Sequence, residues 1–318
     1  MSQKTIEKLM AIPDNEAVIV LKGVTKDYGD GKGIFDVSFK IPKGKVFGYC
    51  GTNGAGKTTT LRHIMGFIKP DKGEVLVEGK NPWKHGEEIK DHIGYLPGEI
   101  AFPPVENGSE FLKSQAELID LKDMSKAERI INMMQLDPTA NLRRMSKGMK
   151  QKTAIVATFM HSPSIILLDE PTTGLDPLMR EAFIDLLMEE KEMGATILMS
   201  NHMFDELEET CDYVAFIDKG HIVDIVDMEE LHNRPYREYT VFFEDHHGIE
   251  VLEKSGIKVY GVENNLNGAL VRLDKDNVES FLEIIKKENV KVLRELKYSL
   301  ERYFMEKFGG KGDGNSEE

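Results

Sequence analysis

Apolar and polar positions divide this chain into three stretches of different rhythm. In the first, short apolar runs follow one another closely. Val18–Val24 (VIVLKGV) reads as a strand, Phe35–Ile41 alternates, Val46–Cys50 (VFGYC) is continuous, and Glu74–Glu78 is a further strand. Alternation marks a half-buried strand, and a continuous run suits one buried on both faces. Pro42-Lys43-Gly44 between the second and third runs predicts a hairpin. Because these strands do not alternate with helices, a small antiparallel subdomain is expected. Residues 1–17 ahead of them read as a loose arm or a short helix.

From His92 to Val226 the rhythm changes. His92–Pro97 is a strand, and Ser109–Leu136 carries a helical pattern in two pieces. Ser109 is placed to cap the first piece, and Ser125 with Glu128 spells a capping box for the second. Ser146 is placed to cap a helix reaching to about Met160. Ser164–Asp169 (SIILLD) is the continuous run of a central parallel strand. Leu178–Met193 is helical with a stop signal at Gly194, and Thr196–Ser200 is a strand. Phe204–Cys211 is a short acidic helix. Lys219-Gly220 joins Tyr213–Asp218 to His221–Val226 as a hairpin. Strands alternating with helices predict an α/β core with a mainly parallel sheet.

Past Leu231 a third pattern begins. Strand 239–243, helix 249–254, strand 258–262, strand 269–273, helix 278–287 and strand 291–293 give the order β-α-β-β-α-β, a recurring α+β arrangement. A last helix, Ser299–Phe308, precedes a Gly/Asp/Ser/Glu tail expected to be disordered. The expected domains are an arm (1–17), a main domain (18–230, with a helical subdomain at about 99–160), a linker (231–236), a small α+β domain (237–308) and the tail (309–318).

Composition narrows the class. At 318 residues the chain has room for two domains. A net charge of −14 argues against binding a nucleic-acid backbone. No apolar run reaches bilayer length, and the first residues lack the apolar core of a signal peptide, so the cytoplasm is expected. In that setting the Asn107-Gly108-Ser109 acceptor pattern would stay unmodified. Cys50 and Cys211 lie far apart without metal-ligand spacing and read as buried thiols in a reducing compartment. His246-His247 beside a turn reads as surface, Glu206–Asp212 as a solvated helix face, and Met145, Met149 and Met160 as packing.

The chemistry centres on Gly51-Thr52-Asn53-Gly54-Ala55-Gly56-Lys57-Thr58-Thr59, which fits Gly-x-x-x-x-Gly-Lys-Ser/Thr in full. It follows the Val46–Cys50 strand and precedes a helix read at Thr60–Phe67, the context the pattern requires. Glycines let several N–H groups point into one concavity that suits an anion. The helix beginning near Gly56 adds its positive end. Lys57 is placed for the outer phosphates and the Thr58 hydroxyl for magnesium. A second constellation ends the Ser164–Asp169 strand. Asp169 is placed to hold magnesium through its waters. Glu170 is placed to orient or deprotonate an attacking water. Acids at the carboxyl end of a parallel strand sit where such sheets bind ligands.

Three segments then carry a family resemblance. Asp169-Glu170-Pro171-Thr172-Thr173-Gly174-Leu175-Asp176-Pro177 resembles the metal, base and dimer-contact segment of ABC ATPases. Arg144-Met145-Ser146-Lys147-Gly148-Met149-Lys150-Gln151 resembles their signature, and Ser200-Asn201-His202 their histidine switch. The resemblance spans roughly residues 18–227. It implies a P-loop NTPase core with antiparallel β and α-helical subdomains, and ATP and Mg2+ as ligands. Two copies would pair head to tail, with ATP between the phosphate loop of one and Ser146, Lys147, Gly148 and Met149 of the other. It also implies Glu170 as base, His202 as γ-phosphate contact, Asp176 at the dimer contact and Tyr28 stacked on adenine.

Two departures stand out. The signature reads Met-Ser-Lys-Gly-Met rather than Leu-Ser-Gly-Gly-Gln. Where the family has a metal-sensing glutamine that couples to the membrane partner, this chain has Gly98 followed by Glu99, and Glu99 is expected to take part of that role. With no span of its own, the chain would work against a separate permease on the inner face of the membrane. The signature and the appended domain resemble drug-, antibiotic- and peptide-exporting members. An importer ATPase is the nearer alternative. A soluble ATPase of translation or DNA repair would need a second nucleotide domain or a long coiled-coil insertion, and a non-hydrolysing ATP-binding module would not need Glu170 and His202.

Overall fold

The computed structural model describes residues 2–308 and separates into two units, the first ending at Met228 and the second starting at Glu229. The first unit opens with α1 (Ser2–Met10), β1 (Ala17–Asp27), β2 (Gly33–Pro42), β3 (Val46–Cys50), α2 (Lys57–Ile64) and β4 (Lys72–Val77). Next come α3 (Gly86–Lys90), β5 (Ile93–Leu96), α4 (Gly108–Leu118), α5 (Ser125–Met133) and α6 (Lys147–Phe159). It continues with β6 (Ile165–Asp169), α7 (Pro177–Glu192), β7 (Thr196–Asn201), α8 (Phe204–Thr210), β8 (Tyr213–Asp218) and β9 (His221–Asp227).

Two sheets organise these elements. A three-stranded antiparallel sheet has the order β2-β1-β4, and a six-stranded sheet the order β5-β6-β7-β3-β8-β9. In the larger sheet every neighbouring pair is parallel except β8 with β9. Every residue of β3, β6 and β7 is buried. Each large apolar side chain so buried contributes about 1.5–3 kcal/mol, which is why continuous apolar runs take the sheet centre.

The hairpin expected across Pro42-Lys43-Gly44 does not form. β2 pairs with β1, whereas β3 leaves that sheet and pairs parallel with β7 and β8. A strand as apolar as Val46–Cys50 needs cover on both faces, which it finds between β7 and β8 at the centre of the larger sheet. Two caps also differ from expectation. Asn107, in an extended conformation, accepts the Glu110 N–H at 2.9 Å and starts α4, while Ser109 lies inside the helix with its N–H on Pro138 O. Ser125 likewise falls inside α5, and the Asp123 carboxylate accepts its N–H at 2.9 Å in place of a capping box. The first residues form a docked helix, not a loose arm. Leu9 is fully buried, and Lys8 bonds Asp227 at 2.8 Å.

Helix α9 (Met228–His232) crosses the boundary between the units, where a linker was expected from residue 231. The second unit contains β10 (Tyr236–Phe243), α10 (His247–Lys254), β11 (Lys258–Glu263), β12 (Gly268–Asp274), α11 (Val278–Lys287), β13 (Val290–Leu296) and α12 (Leu300–Phe308). Its four strands are antiparallel in the order β11-β12-β10-β13. Its own core gathers Val241, Phe243, Leu252, Val271 and Phe281. His246 and His247 are exposed. The tail of 309–318 lies outside the described residues.

One buried charge pins α12 to this sheet. Glu238, with its side chain 3% exposed, meets Arg272 Nη2 at 2.7 Å and Arg302 Nη1 at 2.6 Å. Burial alone would raise its pKa. The hydrogen bonds from Arg272 and Arg302 outweigh that and hold it below the usual glutamate value of 4.5. Its contribution is therefore complete above that value and is lost as pH falls through the lowered folded value. Glu238→Gln is expected to lower the thermal midpoint at pH 7 and to flatten the decline of stability below about pH 4.5. Circular-dichroism melts from pH 7 to pH 3 check this.

Candidate active site

The register of the parallel sheet sets the site. Asp169 at the end of β6 lies opposite Ser200 of β7, and Asn201 lies opposite Cys50 of β3. The strand ends therefore deliver the phosphate loop, the acids and the switch segment to one edge, as expected for ligand sites in such sheets. Gly56 adopts φ 111 and caps α2, which begins at Lys57 rather than Thr60. A Cβ on Gly56 would stand 2.6 Å from Ile34, so only glycine fits this turn.

Buried Lys57 donates to Gly51 O at 2.7 Å and lies 3.6 Å from Glu170 Oε1. Thr58 Oγ1 donates to Asp169 Oδ2 at 2.6 Å, and Ser200 Oγ donates to Oδ1 at 2.6 Å. Glu170 adopts φ 50, a left-handed conformation held by N–H bonds of 3.1 Å to the carbonyl and to the hydroxyl of Ser200. That conformation costs a non-glycine residue about 1–3 kcal/mol and is characteristic of functional positions.

A cavity of about 770 Å³ brings together Tyr28, Asn53, Gly54, Gly56, Lys57, Thr58, Thr59, Gly98, Glu99, Asp169 and Glu170. Gly51, Thr52 and Ala55 belong to the loop but do not line the cavity. Tyr28 is 54% exposed at its rim. Gly98 abuts the acid: a Cβ there would come within 3.2 Å of Asp169 Oδ2. Lys32, Arg62 and Tyr95 also line the cavity and escaped sequence reasoning. Lys32 carried a signal, since it sits in the glycine-rich turn after Tyr28. Arg62 did not stand out from an ordinary helix residue.

Other sequence-predicted residues stand elsewhere in this unit. Ser146 caps α6 by accepting the Met149 N–H at 3.2 Å and is exposed, as is Lys147. Gly148 packs on the Gly174 carbonyl, and Asp176 caps α7 by accepting the Met179 N–H at 3.1 Å. None of Ser146, Lys147, Gly148, Met149, Asp176 or His202 lines the cavity. His202 is exposed, its N–H held by Asn201 Oδ1 at 2.7 Å.

The acidic run of α8 is not simply a solvated face. Glu206 is buried and accepts from Thr172 Oγ1 at 2.7 Å and from Asn201 Nδ2. It thereby links the loop after Glu170 to the segment carrying His202. Gln151 of α6 reaches the same loop, donating to Pro171 O at 2.6 Å. Residue type alone does not distinguish Glu206 from its exposed neighbour Glu209; helix phase relative to β7 does.

Fold and cavity together define a P-loop ATPase. The family profile described as "ABC transporter" matches residues 34–173. The uncharacterised ABC transporter ATP-binding protein YhcH of Bacillus subtilis strain 168 is 30% identical over 299 residues, covering 92% of this chain and 97% of that protein. The bacitracin transport ATP-binding protein BcrA of Bacillus licheniformis is 31% identical over 312 residues, covering 92% and 98%. A solved ATP-binding subunit of an ABC transporter superposes with a TM-score of 0.62 at 27% identity, covering 68% of this chain and 92% of that one. This chain belongs to the ABC transporter ATP-binding proteins and is an ATPase. Among the described residues, no helix is long and apolar enough to cross a membrane.

Glu206→Ala would leave the Thr172 hydroxyl and the Asn201 amide without their buried acceptor, costing about 1–3 kcal/mol. ATP turnover is expected to fall with little change in KM, because no phosphate-loop group is touched. Steady-state kinetics beside a thermal melt separate the two effects, and an unchanged kcat would exclude a role for Glu206 in positioning.

Proposed function

We propose that this chain hydrolyses ATP to power export through a separate membrane permease, working as a head-to-tail pair of copies. The observation that carries the hydrolytic part is the convergence of Lys57, Thr58, Asp169 and Glu170 in one cavity. The phosphate loop and Lys57 hold the triphosphate, and Lys32 and Arg62 add positive charge to the same cavity. Thr58 and Asp169 offer a hydroxyl and a carboxylate, hard oxygen donors that fit magnesium. They would hold the ion, which supplies charge neutralisation on the phosphate oxygens. Glu170 faces the cavity from the strand end and orients and deprotonates the attacking water. His202 closes on the γ-phosphate, and Tyr28 stacks on adenine.

The pairing of copies rests on the signature helix. Ser146 starts α6 at the surface, away from its own cavity, and a helix N-terminus is an anion site. A second copy's nucleotide is the ligand that fits it, with Asp176 at the contact. Coupling to the permease is supported by a second cleft of about 430 Å³, lined in part by Ile100, Phe102, Phe111 and Ile119. Tyr95 and Pro97 line both this cleft and the nucleotide cavity. A permease segment seated there would feel the nucleotide through Gly98 and Glu99, with Glu99 or a water it holds replacing the missing glutamine. The export direction is supported by the likeness to a bacitracin transport protein along nearly its whole length. The protein would then sit on the cytoplasmic face of the membrane.

Glu170→Gln is expected to lower ATP turnover by about 10²–10⁴-fold while ATP still binds, and to accumulate an ATP-bound dimer. Phosphate release and light scattering with and without ATP report this, and an unaltered rate would reject Glu170 as the base. Glu99→Ala is expected to keep basal hydrolysis and lose its stimulation by the permease in reconstituted vesicles. Coupled transport equal to the parent protein would exclude Glu99 from coupling.

A further inference from the structure

Tyr28 stands just past the end of β1, and the next three residues, Gly29, Asp30 and Gly31, all adopt positive φ. More than half of its side chain is open to solvent. A ring on such a turn loses conformational entropy when it is ordered, so a stacking surface held in place beforehand binds a base more tightly than a loose one. The structure holds this ring from behind. Asp71, between α2 and β4, divides its carboxylate between two residues of β1. Oδ1 accepts from Lys26 Nζ at 2.8 Å, and Oδ2 accepts the Asp27 N–H at 3.0 Å. Its own N–H donates to Thr25 O at 2.8 Å.

Both bonds lead to Tyr28. Lys26 Nζ lies over the Tyr28 ring, 5.8 Å from its centroid, within reach of the attraction between an ammonium and an aromatic face. Asp27 Oδ1 accepts the Gly29 N–H at 2.8 Å, so the residues on either side of Tyr28 are joined to each other and to Asp71. The Tyr28 N–H donates to Lys32 O at 2.9 Å, and the Lys32 N–H to Gly29 O at 2.9 Å, which closes the turn. The bond from Lys26, and after it the Asp27 N–H, hold the Asp71 carboxyl below its ordinary value of 3.8, so it is charged at neutral pH. None of Lys26, Asp27 and Asp71 lines the nucleotide cavity, whereas Tyr28 does.

We propose that Asp71 is a positioning residue for nucleotide binding, which through Lys26 and Asp27 holds the Tyr28 ring as a fixed platform for the base. With the ammonium over one face of the ring, the other face is left for adenine. The inference rests on Tyr28 as the adenine platform and adds what keeps that platform in place. Asp71 acts on the base half of the site alone. The bonds of Lys57 to Gly51 O and of Thr58 to Asp169, which shape the phosphate half, involve neither Asp71 nor its partners.

The test uses the full chain with ADP, so that no hydrolysis intervenes, and with inorganic tripolyphosphate, which offers phosphates and no base. Calorimetric titration gives the ADP affinity, and competition against it gives that of tripolyphosphate. Asp71→Ala is expected to weaken ADP about three- to tenfold and to leave tripolyphosphate unchanged. Asp71→Asn keeps an oxygen for the Asp27 N–H but loses the charge facing Lys26, and is expected to fall between Asp71→Ala and the parent chain. Tyr28→Ala is expected to weaken ADP at least as much, and Tyr28→Ala with Asp71→Ala no more than Tyr28→Ala alone, because Asp71 works through that ring. A merely structural loss would weaken both ligands and add to the Tyr28 effect, and either result overturns the proposal. So does unchanged ADP affinity in Asp71→Ala when Tyr28→Ala is impaired. Unchanged affinity in Tyr28→Ala itself would remove Tyr28 as the platform, and the role of Asp71 with it.

Discussion

The Asp169 carboxylate is the constraint on which the nucleotide site depends. It is buried, and its two oxygens are divided between the Thr58 hydroxyl of α2 and the Ser200 hydroxyl of β7. A buried carboxylate is tolerable only when its oxygens are hydrogen-bonded. Meeting that demand fixes three elements against one another. It also holds the first turn of α2, and with it Lys57, over the edge of the sheet. Glu170 follows on the same strand end in a left-handed conformation that the same serine maintains, so one side chain, Ser200, orients both acids.

A second layer of polar contacts ties the reacting groups to more distant segments. Glu206 joins Thr172 to Asn201, and Gln151 joins α6 to Pro171. The loop just after Glu170 is therefore held by α6 on one side and by α8 on the other. Both the start of α6 and the turn at His202 reach the surface. Each is tied to the loop after Glu170 by buried hydrogen bonds, which are costly to leave unmade.

The second unit follows the same physics with a different outcome. Glu238 is satisfied by two arginines, and its core is closed by two helices on one face. Among the described residues no strand pairs with the outer edge of β13.

The sequence by itself determined the phosphate loop, the two acids and the alternation of strands and helices, because each is written in contiguous residues whose spacing obeys local rules. It also determined the β-α-β-β-α-β order of the second unit. Non-local matters escaped it. The placement of Val46–Cys50 between β7 and β8, instead of beside β2, depended on cover supplied by distant segments. The start of α4 at Asn107 depended on backbone geometry two residues before the serine that resembled a cap. The burial of Glu206 depended on which face of α8 meets β7, and the entry of Lys32, Arg62 and Tyr95 into the cavity on the folding of three segments around one sheet edge. Only the tertiary structure decided these, because burial and partnership belong to neighbours in space, and most of those neighbours are far away along the chain.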